Sequence, residues 1–428
     1  MKNYHFIGIK GAGMSALACI LHDLGNKVQG SDVTEYFFTE ENLKKRDIPI
    51  YTFNVNKIDS THTVIVGNAF NDHKEVTTAK CLGCKIYSYN EFLGNLCNQF
   101  NSIAVTGSHG KTTTTNLIAH ILSNYLEINF LVGDGEGKGN QAADTFVFEA
   151  CEYKRHFLHY TPNISVITNV DFDHPDYYKD IEDVQSAFKQ FGNQSDFLIA
   201  NGDDPSAMEI TKEGNTLYFG LKNTNNLYAT NINYDSNYTF FDAIYNTMYL
   251  ESFKIPLHGT HSVMNALAAI LVALRQSVPV SSIKSSLQTF KGTQRRFEEI
   301  PCGDQLIIND YAHHPVEIKA TINAIRSKYP NKPLVVFFQP HTYTRTITFL
   351  DEFVNSLSLA DHVYLLEIFG SAREKTGQIT IQDLSNRIEG SRVIDKTELE
   401  ILNQYKNSVI VFMGAGDIDQ LIKTYMQS

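Results

Sequence analysis

The feature that most constrains the fold of this chain is a recurring order of short apolar runs, glycine-rich or polar turns and helical patterns. The runs include YHFIGI near the N-terminus, SIAVTG and TFVFEA in the middle, and PLVVFFQP and SVIVFMGAG further on. Such alternation is typical of βαβ units on parallel sheets, so the sequence predicts an α/β protein. The runs form three groups, which predict domains over residues 1–99, 100–292 and 293–428. Residues 223–253 differ from these runs, because they are rich in Asn, Tyr and Thr and show an alternating pattern. This pattern predicts a small antiparallel extension of the middle domain.

Composition limits the classes of partner. Of 428 residues, 43% are hydrophobic and 19% are charged, which is typical of a globular protein with several cores. The formal net charge is −11, so neither nucleic acid nor an anionic membrane is expected as a main partner, because both attract clustered Lys and Arg. The six cysteines lack the spacing of a disulfide framework, and no apolar run is long enough to cross a bilayer. We therefore expect a cytoplasmic protein.

The first glycine-rich loop, IGIKGAGMSALA, follows the first apolar run and opens a helical pattern. Gly11, Gly13 and Ala16 match the dinucleotide-binding fingerprint, and Asp32 follows at about the 20-residue distance that the fingerprint requires. Two interpretations are open at this point. The loop belongs either to an NAD-dependent dehydrogenase or to a protein that holds another diphosphate on the backbone N–H groups of a helix N-terminus.

A second loop, SIAVTGSHGKTTTT, lies between an apolar run and the helical pattern NLIAHIL. Its glycines allow a nest of backbone N–H groups, Lys111 is placed for the β- and γ-phosphates, and the Thr112 hydroxyl is placed for Mg²⁺. The match to the standard P-loop is incomplete, because Val105 stands where the first glycine is expected. The combination nevertheless predicts ATP and Mg²⁺ as ligands. An NAD-dependent dehydrogenase would not need such a loop, which argues against that interpretation of the first loop.

The ordered motifs resemble those of the Mur ligases, the ATP-dependent amide-forming enzymes of peptidoglycan precursor synthesis. The resemblance is carried by GIKGAGMSALA and GSD in the first domain, TGSHGKTT and TNVDFDH in the second, and RRFE, DYAHHP, QPHTYTRT and GAGD in the third. It covers essentially the whole chain. It implies a Rossmann-like N-terminal domain, a P-loop ATPase-like central domain and a Rossmann-like C-terminal domain, in which ATP converts a carboxylate to an acyl phosphate.

The resemblance also implies substrates. The motifs are most similar to those of the family members that join L-alanine to the carboxylate of UDP-N-acetylmuramate, and a monomer or homodimer is expected. One alternative is a related member that attaches a preformed tripeptide to the same UDP-sugar. Another is an ATP-driven regulatory module that binds UDP-sugars without chemistry. Spacing alone does not settle the selectivity for the amino acid.

The site residues are assigned by their match to the family motifs. The expected UDP-sugar site contains Gly11, Ala12, Gly13, Met14, Ser15, Asp32 and Asn68, with strand capping as the alternative role of Asp32 and Asn68. The expected ATP site contains Gly107, Ser108, His109, Gly110, Lys111, Thr112, Thr113, Asn265, Arg296 and Asp310. Mg²⁺ is expected at Thr112, Glu149 and His174, and the amino acid at Tyr311, His313, His341 and Arg345. The expected catalytic residues are Lys111, Glu149, His174, Arg296 and His313.

Three positions depart from the family patterns. Cys151 stands where an acid is usual, Ser262 replaces the first Asn of HNxxN, and Thr342 replaces an Arg that is common in relatives. The change at Thr342 predicts a weaker clamp on the carboxylate of the amino acid. The glycine and short polar residues at 292–294 predict a hinge about which the third domain closes over bound ATP, with a rigid three-domain block as the alternative.

Overall fold

The structure is a computed structural model that describes residues 1–210, 212, 214–370, 374 and 376–427. In this part of the chain the strands form three sheets that follow one another in sequence, each packed against helices. The predicted α/β class is therefore confirmed. We call the three parts the first unit (residues 3–97), the central unit (101–289) and the third unit (298–427), and the segment 290–297 the junction.

The first unit is fully described and contains a five-stranded parallel sheet of order β3-β2-β1-β4-β5. Successive residues of a strand point to opposite faces, so Val64 packs with Val76 on one face while Ile65 joins the apolar cluster on the other. The strand order reverses between β1 and β4, which is where ligands bind in such sheets. The elements are β1 (Asn3–Ile7), α1 (Ala12–Asp23), β2 (Lys27–Asp32), α2 (Glu40–Lys44), β3 (Ile50–Thr52), β4 (His62–Val66), α3 (Lys74–Cys81), β5 (Lys85–Ser88) and α4 (Tyr89–Cys97).

The described residues of the central unit form a ten-stranded sheet of order β15-β14-β13-β12-β11-β10-β6-β9-β7-β8. The last three strands pair antiparallel and form one edge, as predicted for residues 223–253. The strands are β6 (Asn101–Thr106), β7 (Ile128–Leu131), β8 (Gly137–Lys138), β9 (Thr145–Glu149), β10 (Ile164–Ile167), β11 (Phe197–Asn201), β12 (Thr216–Gly220), β13 (Leu227–Tyr234), β14 (Thr239–Tyr245) and β15 (Met248–Ile255). The helices are α5 (Lys111–Ser123), α6 (Ile181–Gln194), α7 (Pro205–Met208), α8 (Thr260–Arg275) and α9 (Val280–Thr289).

The third unit has, in its described residues, a six-stranded sheet of order β16-β17-β21-β18-β19-β20, in which only the β16–β17 pair is antiparallel. Its strands are β16 (Glu298–Cys302), β17 (Gln305–Asp310), β18 (Leu334–Phe338), β19 (His362–Leu365), β20 (Arg392–Val393) and β21 (Val409–Met413). Its helices are α10 (Pro315–Lys328), α11 (Tyr343–Thr348), α12 (Leu350–Leu357), α13 (Ile381–Ser385) and α14 (Ile418–Gln427). Among all described residues, every helix is too short or too polar to span a bilayer.

Candidate functional site

The first glycine-rich loop forms one wall of a cavity of about 460 Å³ in the first unit. Gly11 precedes α1, so the N–H groups of the first helical residues have no intrahelical acceptor, and these residues line the cavity. A side chain at Gly13 would place its Cβ only 2.6 Å from the hydroxyl of Tyr89, which explains glycine there. The predicted residues Gly11, Ala12, Gly13, Met14, Asp32 and Asn68 line this cavity, whereas Ser15 is buried behind it.

Asp32 and Asn68 stand at the carboxyl ends of β2 and β4 but differ in their surroundings. Asp32 is 4% exposed, and its carboxylate accepts hydrogen bonds from the N–H groups of Lys10 (2.7 Å) and Val33 (2.8 Å). It therefore fixes the loop that leads to Gly11, which is the capping role weighed for it in the sequence. Asn68 is exposed at the cavity rim, where its amide oxygen lies 3.4 Å from the Asn90 amide nitrogen.

The second loop joins β6 to α5, which begins at Lys111. Gly107 (φ 143°) and Gly110 (φ 80°) have positive φ values that favour glycine. Two hydrogen bonds join the loop to the segment that follows β10. The Asn169 side-chain oxygen accepts from the His109 N–H at 2.8 Å, and the Ser108 hydroxyl donates to the Asp171 carbonyl at 2.9 Å. The strand–loop–helix context that the P-loop prediction required is present. Val105, where the first glycine was expected, is buried within β6.

The ammonium of Lys111 already has an acidic partner. Its Nζ lies 2.9 Å from Glu152 Oε2 and donates to the carbonyls of Gly107 (2.6 Å) and Ser108 (3.1 Å). Burial opposes the charged form, but the Glu152 carboxylate outweighs it and holds the pKa of Lys111 above its usual range. The role of Glu152 was not predicted from the sequence, although the residue directly follows Cys151.

The three predicted metal ligands line one cavity of about 300 Å³ together with Lys111. Thr112 lies in the first turn of α5, and Glu149 ends β9, where its carboxylate accepts from the Gly133 N–H at 3.0 Å. The imidazole of His174 faces Glu152, with 3.6 Å between Nε2 and Oε1, and its buried Nδ1 has no hydrogen-bond partner among the described residues. Burial lowers the pKa of His174, which keeps the ring neutral and able to act as a ligand.

A third cavity, of about 490 Å³, is also lined by residues of the same loop. Six of the residues predicted for ATP line it: His109, Gly110, Thr113, Asn265, Arg296 and Asp310. The side-chain oxygen of Asn265 would lie 2.9 Å from a Cβ placed on Gly110, so α8 packs directly against the phosphate loop. The Asp310 carboxylate accepts from the N–H groups of Phe297 (2.9 Å) and Ala312 (2.8 Å), and burial raises its pKa to about 6.

Arg296, Tyr311 and His313 bring the junction and the third unit to the 300 Å³ cavity. The guanidinium groups of Arg295 and Arg296 each lie 4.9 Å from the centre of the Tyr311 ring. Both are close enough for a cation–π interaction with that ring. The Nδ1–H of His313 donates to the Tyr311 carbonyl at 3.0 Å, which leaves Nε2 as an acceptor. Burial holds the pKa of His313 well below its usual value.

Arg345, predicted to bind the carboxylate of the amino acid, already pairs with an acidic side chain of the central unit. Arg345 is 3% exposed, and its Nε and one terminal nitrogen donate to Asp173 Oδ1 at 3.0 and 2.9 Å. The Asp173 carboxylate belongs to the central unit, so this ion pair crosses to the third unit, and the Arg345 guanidinium holds the pKa of Asp173 well below its usual range against the effect of burial. His341 lies beside Arg345, and its ring stacks on Phe369 with 5.7 Å between centroids.

Models of Mur ligase domains match three consecutive parts of the chain. The model described as "Mur ligase family, catalytic domain" matches residues 3–101, the Mur ligase middle domain matches 105–273, and the "Mur ligase, glutamate ligase domain" matches 295–416. The chain belongs to the Mur ligase family of ATP-dependent ligases. The resemblance of the motifs is thereby confirmed, and the dehydrogenase interpretation of the first loop is set aside.

Solved structures of Mur ligases are similar to this chain over most or all of its length. The UDP-N-acetylmuramate-alanine ligase from Thermotoga maritima is 25% identical, with 100% of this chain and 98% of that chain covered and a TM-score of 0.83. A murein peptide ligase from Psychrobacter arcticus is 23% identical, with coverage of 100% and 98% and a TM-score of 0.74. The MurF ligase from Thermotoga maritima, solved in complex with ADP, is 17% identical, with coverage of 87% and 96% and a TM-score of 0.70.

Proposed function

We propose that this Mur ligase joins L-alanine to the carboxylate of UDP-N-acetylmuramate and cleaves ATP to ADP and phosphate. The observation that carries the proposal is the 300 Å³ cavity, because residues of all three units line it. Ala12 comes from the first unit, Lys111 and Glu149 come from the central unit, and His313 comes from the third unit. The solved neighbour with this activity supports the choice of substrates.

The chemistry proceeds in two displacements. A carboxylate oxygen of the UDP-sugar attacks the γ-phosphorus of ATP, the bond from that phosphorus to the β,γ-bridging oxygen breaks, and ADP leaves. The amine nitrogen then attacks the acyl carbon of the resulting acyl phosphate, the C–O bond to phosphate breaks, and the amine loses a proton as the amide forms. Positioning and charge neutralisation, rather than covalent catalysis by the protein, suffice for such phosphoryl transfer.

Lys111 and Arg296 supply positive charge to the transferred phosphoryl group in this scheme. Lys111 exchanges its Glu152 contact for phosphate oxygens, which lie where the loop N–H groups converge. Arg296 approaches from the junction, and its planar guanidinium spans two oxygens as an ammonium cannot. Asn265 and Asp310, at the walls of the 490 Å³ cavity, are proposed for the nucleoside.

A Mg²⁺ ion fits the donors at Thr112, Glu149 and His174. A hydroxyl, a carboxylate and a neutral imidazole whose buried Nδ1 makes no hydrogen bond with the described residues share one cavity, and phosphate oxygens and water would complete the coordination. Bound there, Mg²⁺ would neutralise charge on the phosphates of ATP.

The amino acid is proposed to lie between His313 and Arg345. The acceptor Nε2 of His313 receives a hydrogen bond from the amine, since Nδ1 is committed to the Tyr311 carbonyl. Among the described residues, the second terminal nitrogen of Arg345 contacts His341 at 3.4 Å and not Asp173, which supports its use for a carboxylate. Tyr311 and His341 are proposed for the adjoining walls.

Phosphate release from ATP in the presence of UDP-N-acetylmuramate tests the proposal, with L-alanine, glycine, L-serine and a cell-wall tripeptide offered in turn. Release that requires both the UDP-sugar and L-alanine is expected. Release that requires the tripeptide instead would assign the chain to the activity of murein peptide ligases. Phosphate release that is independent of any amine, with no amide product by mass spectrometry, would contradict ligation altogether.

A further inference from the structure

Glu317, in the first turn of α10, contacts three residues of the predicted site. Its Oε1 lies 3.4 Å from Nδ1 of His109 and 3.7 Å from a terminal nitrogen of Arg296. Its Oε2 accepts from the His313 N–H at 3.1 Å and lies 3.3 Å from the His313 ring. One carboxylate therefore contacts the phosphate loop through His109, the junction through Arg296, and the proposed amino-acid site through His313.

His109 is held in its charged form by geometry. Its Nε2 lies 3.3 Å from Asp171 Oδ2 and its Nδ1 lies 3.4 Å from Glu317 Oε1, so each ring nitrogen faces a carboxylate. A neutral ring carries one N–H and would turn a lone pair towards the other carboxylate, whereas the imidazolium donates to both. Burial opposes the charge, but Asp171, Glu317 and the nearby Asp173 raise the pKa of His109 to about 9.

Another neighbour of His109 is a second imidazole. The rings of His109 and His314 lie 4.7 Å apart, and burial together with the charge of His109 lowers the pKa of His314 to about 4. The neutral His314 ring accepts the Val316 N–H on Nδ1, at 3.4 Å. The phosphate loop of the central unit is thus attached to the start of α10 by one charged and one neutral histidine.

We propose that Glu317 is a positioning residue that holds the His109 imidazolium and the Arg296 guanidinium in one arrangement, so that loop and arginine approach the same phosphoryl group. The identity of that group rests on the proposed function. The ion pairs form only when α10 lies against the phosphate loop, so they link nucleotide binding to the position of the third unit. A capping role alone does not explain the contacts, because the side chain also reaches the central unit.

Metal binding is the competing interpretation of the same histidines. His109, Asp171 and His314 each offer a ligand atom, and these atoms lie within 4.8 Å of one another. However, the Nδ1 of His314 accepts a hydrogen bond, so its Nε2 carries the proton of the neutral ring, and His109 is charged. His109 would have to lose a proton before it could ligate, and the neutral His314 ring would have to move its proton from Nε2 to Nδ1 or give up the Val316 hydrogen bond.

The first test is an NMR titration of the histidines in the complete protein. Glu317→Gln keeps the shape and the acceptor oxygen that a helix-capping residue needs, but it removes the charge. The pKa of His109 is expected to lie near 9 in the wild-type protein and to fall by at least about one unit in the variant. A His109 pKa at or below the ordinary value, or one that the substitution leaves unchanged, would overturn the proposal whether or not the chain is a ligase.

The second test is kinetic. We expect Glu317→Gln to lower kcat on the order of 10- to 100-fold, to change KM for ATP much less, and to move the alkaline limit of kcat to lower pH. His109→Gln should have a similar effect, and the double variant should be little worse than either, because the residues act as a unit. The control is Glu91→Gln, which alters the same type of capping box at Ser88 on α4, and it should leave kcat unchanged.

Three outcomes would contradict the proposal while leaving the ligase activity standing. They are wild-type kinetics in Glu317→Gln, independent multiplicative losses in the double variant, and inhibition by added Zn²⁺ that disappears in His109→Gln. The last would show that the histidines bind metal in their neutral forms. A wild-type protein without ligase activity would refute the proposed function instead, and the NMR titration would still decide the ion pairing.

Discussion

The boundary between the first and central units is filled by apolar side chains and close backbone contacts. One cluster of buried residues includes Leu93 of α4 and Phe148 of β9, and it runs without interruption between the two units. Gly137 of β8 packs so closely on α1 that an added Cβ would come within 2.8 Å of the Ala16 Cα. Tyr160 adds a buried hydrogen bond of 3.0 Å to Asn90.

Charged side chains form the main contacts between the central and third units. Arg345 pairs with Asp173, His109 pairs with Glu317, and the cavities of about 490 and 300 Å³ are both lined by residues of the two units. In the described residues, the apolar clusters of the third unit are separate from those of the central unit, with partly buried Phe172 touching both.

The difference indicates which boundary moves. Separating the first and central units would expose apolar area, at a cost of roughly 25 cal/mol for each Å². Separating the central and third units would mainly expose charges, which water solvates. We therefore expect the first and central units to act as one body and the third unit to close on it about the junction, where Gly292 has φ 82°.

The largest effect is expected from Lys111→Ala, at the charged boundary. Loss of the ammonium leaves phosphoryl charge uncompensated, so ATP turnover should fall by roughly a thousand-fold or more. Binding of UDP-N-acetylmuramate should persist, because Lys111 lies outside the cavity of the first unit. Phosphate release and calorimetric titration measure the two effects, and undiminished turnover would remove Lys111 from the site.

Breaking the buried ion pair is expected to have the next largest effect. Asp173→Asn leaves the Arg345 charge buried without its partner, so the free energy of unfolding should fall by about 3–5 kcal/mol. Arg387→Gln is the control, because its pair with Asp351 is largely exposed and should contribute about 1 kcal/mol or less. Equal losses in the two variants, measured by denaturant unfolding, would contradict the assignment of Asp173 to a structural contact.

A substitution at the apolar boundary should cost stability without altering the chemistry. Leu93→Ala creates a cavity in a fully buried position, and a loss of about 2–5 kcal/mol is expected. The kcat of the folded fraction should match the wild-type value, because no proposed catalytic group touches Leu93. A selective loss of kcat at unchanged fold content would show that the apolar boundary takes part in catalysis.

The smallest effect concerns pH. Because the folded protein raises the pKa of His109 from 6.5 to about 9, its stabilising contribution is complete below about pH 6.5 and is lost as the pH rises through 9. The difference in thermal midpoint between the wild-type protein and His109→Gln should therefore shrink between pH 7 and pH 10. A difference that grows over this range would have the wrong sign for a stabilising imidazolium.

The sequence was most informative at strand ends. The phosphate loop, Glu149 and Asp310 lie where the alternation of apolar runs and turns predicted them, because parallel strands bring their carboxyl ends to one edge. The roles of Glu152, Asp173 and Glu317 were missed. Each is defined by a partner in another segment, and local spacing carries no signal for such a pair. For the same reason the pairing of Arg345 with Asp173 was not predicted.

Distances between spin labels test the contrast between the two boundaries most directly. Exposed Lys74, Lys189 and Glu352 provide one label site in each unit, in a background where the accessible cysteines are replaced by serine. With a non-hydrolysable ATP analogue and UDP-N-acetylmuramate, the distance between 189 and 352 should shorten and narrow, while that between 74 and 189 stays constant. A change in the 74–189 distance, or no change in either, would contradict closure of the third unit on a rigid first and central pair.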